Sequence, residues 1–202
     1  MDTFVYRLND SLYINLTNRC SNDCAFCIRS GAPGGGGDGR VGGADLWLSR
    51  EPEADEVIAA LNAMDFKKAR EAVFCGYGEP SYRVNVIAAV GKYARKHKIP
   101  VRLNTNGQGN LINGRDITAE LKGAVDTVSI SLNYAAAEGY RACKSVYGDE
   151  GYFGMLEFAR LCVKRKIKTV MSVVDVIPPA EIEKCRQIAS DIGAVFRIRK
   201  FI

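Results

Sequence analysis

Histidine is nearly missing from this chain. Its single copy in 202 residues, His97, lies in the basic run Arg95-Lys96-His97-Lys98, where a solvated side chain is expected rather than a metal ligand. No apolar run approaches the roughly 18 residues that cross a bilayer, which excludes a helical membrane span. The opening MDTFVYRLNDSLYINL lacks the basic start and apolar block of a secretory leader. The glycine-rich stretch Ser30–Gly43 lacks the Gly-Lys-Ser/Thr ending of a phosphate loop, and no helical pattern follows it directly. It reads instead as a mobile loop, spanning residues 30–44 and able to lie over its neighbours. Cysteine is not scarce, but its count of seven is odd. Without a leader, that count argues against a disulfide framework and for reduced thiols in a cytoplasmic setting.

Hydrophobic residues make up 47% of the chain and charged residues 25%, the balance of a folded globular domain. The net charge of +5 permits an acidic partner without requiring one. Basic clusters at Lys67-Lys68-Ala69-Arg70, Arg95–Lys98 and Lys164-Arg165-Lys166 fall at expected helix ends, where cations complement the helix dipole. The tail Arg197-Ile198-Arg199-Lys200 is a separate basic strand end.

Apolar runs rich in β-branched residues alternate with helix-period segments. Strands are expected at residues 12–17, 72–75, 100–104, 127–132, 169–174 and 195–199, and helices at 53–69, 82–96, 117–123, 151–166 and 180–192. Pro52 and Pro179 suit first helical positions, each followed by acidic residues that favour a first turn. After the first interval, strand ends recur about every 30 residues, the length of a strand-helix-strand unit, which predicts a parallel α/β sheet in one domain, residues 1–202. The chain is shorter than the roughly 250 residues of a complete eight-fold barrel.

Three motifs fall at expected strand ends. Cys20-x3-Cys24-x2-Cys27 follows the first strand. Structural zinc wants four protein ligands, and no matching second pair exists. A fully ligated iron–sulfur cluster also wants four cysteines, so three would leave one iron open to a ligand. Phe74-Cys-Gly-Tyr-Gly-Glu-Pro80 ends the second strand. There Gly76 and Gly78 are expected to let backbone approach a ligand and to take dihedrals closed to other residues. Glu79 supplies a carboxylate, and Pro80 stiffens the turn. Asn104-Thr-Asn-Gly107 and Ser129-Ile-Ser-Leu-Asn133 end the next two strands, and Asp175 ends the fifth. Ligands of parallel α/β sheets gather at C-terminal strand ends, so these residues are expected to share one face.

Together these motifs resemble the radical S-adenosylmethionine superfamily over nearly the whole chain. More narrowly, Phe74–Pro80, Ser-Leu-Asn133 and Val173-Val-Asp-Val-Ile177 resemble the small radical proteins associated with TatD-type nucleases. The resemblance implies a partial (β/α)6 TIM-like barrel, with parallel strands and open on one side. It implies that Cys20, Cys24 and Cys27 hold a [4Fe–4S] cluster whose fourth iron takes the amino and carboxylate groups of S-adenosylmethionine. Phe26 matches the position against adenine, and Gly78 and Glu79 match the segment at the methionine amino group. Gly76, Asn104, Ser131, Asn133 and Asp175 are further cofactor contacts on this reading. The implied reaction is reductive cleavage to a 5′-deoxyadenosyl radical that abstracts hydrogen from a substrate.

The implied partners are a flavodoxin- or ferredoxin-like electron donor and a macromolecular substrate or TatD-like nuclease. An activating enzyme for a partner's glycyl radical, or a non-catalytic cluster-binding module, are the other readings. Among the remaining cysteines, Cys162 and Cys185 lie in apolar helical stripes and are expected in the core. Cys75 is either a small core residue or a thiol facing the substrate. Cys143 falls in a loop or short helix, where exposure stays open.

Overall fold

The computed structural model describes residues 2–27, 29 and 40–200; positions 30–39 of the glycine-rich loop lie outside them. A seven-stranded sheet runs in chain order: β1 (Val5–Leu8), β2 (Ser11–Ile14), β3 (Ala72–Phe74), β4 (Val101–Thr105), β5 (Thr127–Ser131), β6 (Lys168–Val174) and β7 (Val195–Arg199). From β2 to β7 every neighbouring pair is parallel. β1 and β7 are the two edges, so the sheet stays open.

The six expected strands are mutually parallel, and a strand that the sequence reading did not expect, β1, adds an antiparallel edge beside β2. The link is Asn9-Asp10, with Asn9 at φ 51°, the left-handed region that asparagine tolerates. β2, the first of the expected strands, stops at Ile14, short of the expected Thr17, and Asn15–Thr17 continue as irregular backbone towards the cysteines.

Among the described residues, seven α-helices link and flank the strands: α1 (Ala54–Ala63), α2 (Val84–Lys96), α3 (Gly109–Asn113), α4 (Thr118–Leu121), α5 (Ala137–Tyr140), α6 (Asp149–Lys164) and α7 (Pro179–Ile192). Pro179 begins α7 as expected, but Pro52 precedes its helix. Glu53 is the cap there, and its side chain and that of Glu56 form a reciprocal capping box. α1 ends well before the expected Ala69, because Asp65 takes a left-handed φ of 56° and a short 3-10 turn follows at Phe66–Lys68. Lys67 and Lys68 therefore do not sit on the last turn of α1, whereas Arg95 and Lys96 close α2 and Lys164 closes α6.

Burial alternates along β4 and β5, as a half-buried strand requires. One face carries Leu12, Ile14, Phe74, Leu103, Val128, Ile130, Met171 and Val173, all packed under the helices. Cys162 and Cys185 are buried there on α6 and α7, as expected. By register the opposite, lumen face carries Tyr13, Arg102, Asn104, Ser129, Ser131, Ser172 and Arg197. An apolar outer layer thus holds a polar inner surface in shape. No described helix is long and apolar enough to cross a membrane.

Candidate active site

Cys20, Cys24 and Cys27 occupy one irregular segment beyond β2, each half-buried, and none of the chain's seven cysteines is in a disulfide. Protein groups already hold the segment. The Asp23 N–H donates to the Cys143 carbonyl at 2.9 Å, and the Val146 N–H donates to the Ser21 carbonyl at 2.9 Å. Asn106 Nδ2 donates to Ser21 Oγ at 2.8 Å and lies 4.0 Å from Cys20 Sγ. Buried beneath, Tyr140 Oη accepts from Asn22 Nδ2 at 3.1 Å and from Gln108 Nε2 at 3.0 Å.

A strap, Leu46–Glu51, fastens the other side. Asn15 Nδ2 donates to the Leu46 carbonyl, and Asn18 and Leu48 bond reciprocally. Glu51 accepts from Thr17 Oγ1, Arg19 and Arg83. Burial raises the Glu51 carboxyl, but those donors outweigh it and hold the group below its ordinary value.

Burial pushes the Cys20 thiol up to about 12, with the Glu79 carboxylate adding to the rise. Cys24 is raised by its hydrogen bond to Cys143 and then by burial, and Cys27 is raised by burial. Arg29 opposes all three shifts. Its guanidinium donates to the carbonyls of Asn18 and Asn22, which places a cation against the segment.

Among the described residues, no three cysteine, histidine, aspartate or glutamate side chains are gathered to hold a metal ion. The donor chemistry nonetheless fits an iron–sulfur cluster. Three soft thiols share one loop, a cation favours their ionised form, and an N–H, that of Asn22, already donates to Cys20 Sγ at 3.4 Å. The Cys20, Cys24 and Cys27 side chains are the ones that would hold it.

The Gly-Tyr-Gly-Glu-Pro motif acts chiefly on protein. Neither Gly76 nor Gly78 has a positive φ, contrary to the expectation of special dihedrals. Gly78 is required by closeness: a Cβ there would lie 2.3 Å from the Thr17 carbonyl oxygen and 2.6 Å from that of Arg19. Glu79 is 3% exposed. Its carboxylate accepts from the Ser81 N–H at 3.0 Å, Thr105 Oγ1 at 2.7 Å and the Asn106 N–H at 2.7 Å, while its own N–H donates to the Arg19 carbonyl at 2.7 Å. Burial raises its pKa despite those donors. One residue therefore ties the end of β3, the loop after β4 and the cysteine segment together, the first two by its side chain and the last by its backbone N–H.

The remaining expected residues divide. Asn104 faces the lumen and accepts from Arg102 Nη1 at 3.1 Å; burial raises the thiol of Cys75 at the end of β3, and Asn104 opposes that rise. Ser131 Oγ and Asn133 Oδ1 both accept from Arg199 Nη2. Phe26 is half-buried against the core. Asp175 is exposed just past β6, and its N–H donates to the Arg199 carbonyl. Cys143 is fully buried rather than exposed, because the cysteine segment packs over the turn Arg141–Cys143. Sequence reading left Asn106, Tyr140 and Gln108 out of the candidate site and took Arg199 only as part of a basic strand end. Asn106 lay inside a motif already singled out; the others join the site only through contacts distant in sequence.

Thiols, buried carboxylate and polar lumen residues at the C-terminal ends of a six-fold parallel half-barrel define an α/β enzyme-like scaffold for a soft-metal cofactor. The Radical SAM superfamily model matches residues 14–192, and the chain belongs to that superfamily. It is similar to a protein of Thermococcus kodakarensis named probable GTP 3′,8-cyclase, with 25% identity over 93% of this chain and 55% of that protein. The chain thus spans about half the length of the curated relative it matches. Among solved structures, Streptococcus suis SuiB bound to the precursor peptide SuiA is similar, with a TM-score of 0.71, 15% identity, and 98% of this chain and 40% of that one covered. SuiB bound to S-adenosylmethionine gives a TM-score of 0.70 at 15% identity, with 94% and 40% covered.

Proposed function

We propose that residues 1–202 form a single radical S-adenosylmethionine core that cleaves its cofactor reductively and abstracts hydrogen from a substrate. The observation that carries this is the three-cysteine segment held against the Gly-Tyr-Gly-Glu-Pro and Asn-Thr-Asn-Gly loops by the Glu79 junction. When bound, a [4Fe–4S] cluster at Cys20, Cys24 and Cys27 supplies one-electron cleavage of the sulfonium. The chain's own residues orient and shield. Phe26 offers an apolar surface for adenine, the Gly78–Glu79 backbone lines the methionine end, and Asn104, Ser131 and Asn133 present polar atoms to the lumen. Gly76 keeps the β3 loop close to Asn15, where an added Cβ would lie 2.0 Å from Oδ1. Cys75 is a lumen-side thiol for the substrate step, and Asp175 marks the rim beyond it. An electron donor of flavodoxin or ferredoxin type completes the system, and the motif likeness to TatD-associated radical proteins extends to a TatD-like nuclease as partner. The peptide bound to SuiB supports a macromolecular substrate.

The test is 5′-deoxyadenosine formation, followed by mass spectrometry after anaerobic reconstitution, reduction and addition of S-adenosylmethionine. Product from the parent and none from Cys27→Ala is expected. A fully reconstituted, reducible protein that forms no product, alone or with cell extract, overturns the reading.

A further inference from the structure

The lumen face at β7 carries charge that no carboxylate among the described residues pairs with. Arg197 and Arg199 are two residues apart on one strand, so both leave the same face, about 6.6 Å apart along it. Register identifies that face: Arg197 stands opposite Ser172, and Ser172 opposite Ser131. Arg199 donates from Nη2 alone, to Ser131 Oγ at 3.4 Å and Asn133 Oδ1 at 3.2 Å, both neutral acceptors. Its Nε is buried without a partner. Among the described residues, neither guanidinium has a carboxylate within ion-pairing distance. Arg102, on the same face, is instead neutralised by Glu71 through two bonds of 2.8 and 3.1 Å.

Burial and then the Arg197 charge lower the Arg199 pKa, while Cys75 and Cys24 oppose that shift. Asn133, the second acceptor of Arg199, lies with Nδ2 3.9 Å from Cys143 Sγ, and the Cys143 carbonyl accepts from the Asp23 N–H, so the guanidinium stands one contact away from the residues that hold the cysteine segment. Two unneutralised cations facing one space, one with an idle buried donor, suit a doubly charged anion better than a single carboxylate. Guanidinium forks match phosphate oxygens two at a time.

We propose that Arg197, Arg199 and Ser131 form a phosphate-binding subsite on the lumen face, which anchors a phosphate-bearing substrate beside the cysteine segment. The word substrate rests on the radical-enzyme reading; the subsite does not. The competing source of negative charge is the carboxylate of S-adenosylmethionine itself, and the experiment separates the two.

Full-length reconstituted protein is dialysed to equilibrium against labelled inorganic phosphate at low salt, and separately against acetate and S-adenosylmethionine. Saturable phosphate binding is expected, with acetate about tenfold weaker or more. Arg197→Gln and Arg199→Gln should each weaken phosphate by about tenfold or more, the scale of a lost charge-assisted bond, and Arg197→Gln should shift S-adenosylmethionine by less than about threefold. Arg197 is exposed, so its variant reports on binding without disturbing packing. No phosphate binding by the parent, or equal affinity in both variants, overturns the subsite. So does an S-adenosylmethionine loss in Arg199→Gln as large as the phosphate loss, which assigns that guanidinium to the methionine carboxylate. Phosphate binding without 5′-deoxyadenosine formation refutes the proposed reaction and leaves the subsite standing; the converse refutes the subsite alone.

Discussion

Glu79, buried, and Arg199, half-buried with its Nε enclosed, are ionisable groups on opposite walls of the same half-barrel, and the protein treats them differently. The carboxylate receives three donors from two loops, so both its oxygens have protein partners even though burial raises its pKa. The guanidinium receives two neutral acceptors on one nitrogen and keeps a buried donor idle. A charge satisfied from within holds the fold, whereas a charge left short is available to a ligand. Both residues lie at strand ends where sequence patterning points to function, and only their partners tell them apart.

The comparison breaks most sharply at Glu79. Glu79→Gln turns one acceptor into a donor facing buried N–H groups, and should cost about 2–4 kcal/mol. That is a fall of roughly 5–15 °C in melting temperature for a chain of this size. A melting curve matching the parent's would show that the junction does not hold the fold. Gly78→Ala attacks the same junction through backbone. Its Cβ meets two carbonyl oxygens of the cysteine segment, and overpacking of this kind costs roughly 1–3 kcal/mol. Chemical denaturation would measure that, and iron uptake should fall with it.

On the other wall, Arg199→Gln should change stability by less than about 1 kcal/mol in either direction, because little intramolecular bonding is lost. A larger destabilisation in denaturant titrations would make Arg199 structural and erase the contrast. The smallest effect is expected where charge is satisfied but exposed. Thr118 and then Arg165 hold the Asp116 carboxyl down to about 2, from an ordinary 3.8. A depressed carboxyl stabilises the fold above its unfolded value and loses that contribution as pH falls through its folded one. Asp116→Asn should therefore cost less than about 1 kcal/mol at neutral pH, and its melting temperature should converge on the parent's between about pH 4 and 2.

Much of this architecture is legible in local pattern. β7 falls where β-branched alternation puts it, and α6 and α7 follow from stripes long enough to show a 3.6-residue period. β1 went unread because its four residues needed Asn9-Asp10 to be recognised as a hairpin link. α3, α5 and the turn Arg141–Cys143 are too short to display any period, and tertiary contacts fix them. In the site, the cysteines and Glu79 stand in recognisable spacings. Tyr140 reaches Asn22 across 118 residues, and Arg199 reaches Ser131 across 68. No spacing rule within a short window carries such pairings.

The junction around Glu79 is assembled wholly from protein atoms. A small zinc domain draws its folding free energy from its metal and comes apart under a chelator. Contacts of polypeptide with polypeptide do not depend on a chelator in that way, so stripping iron from this chain should leave a cooperative melting transition in place.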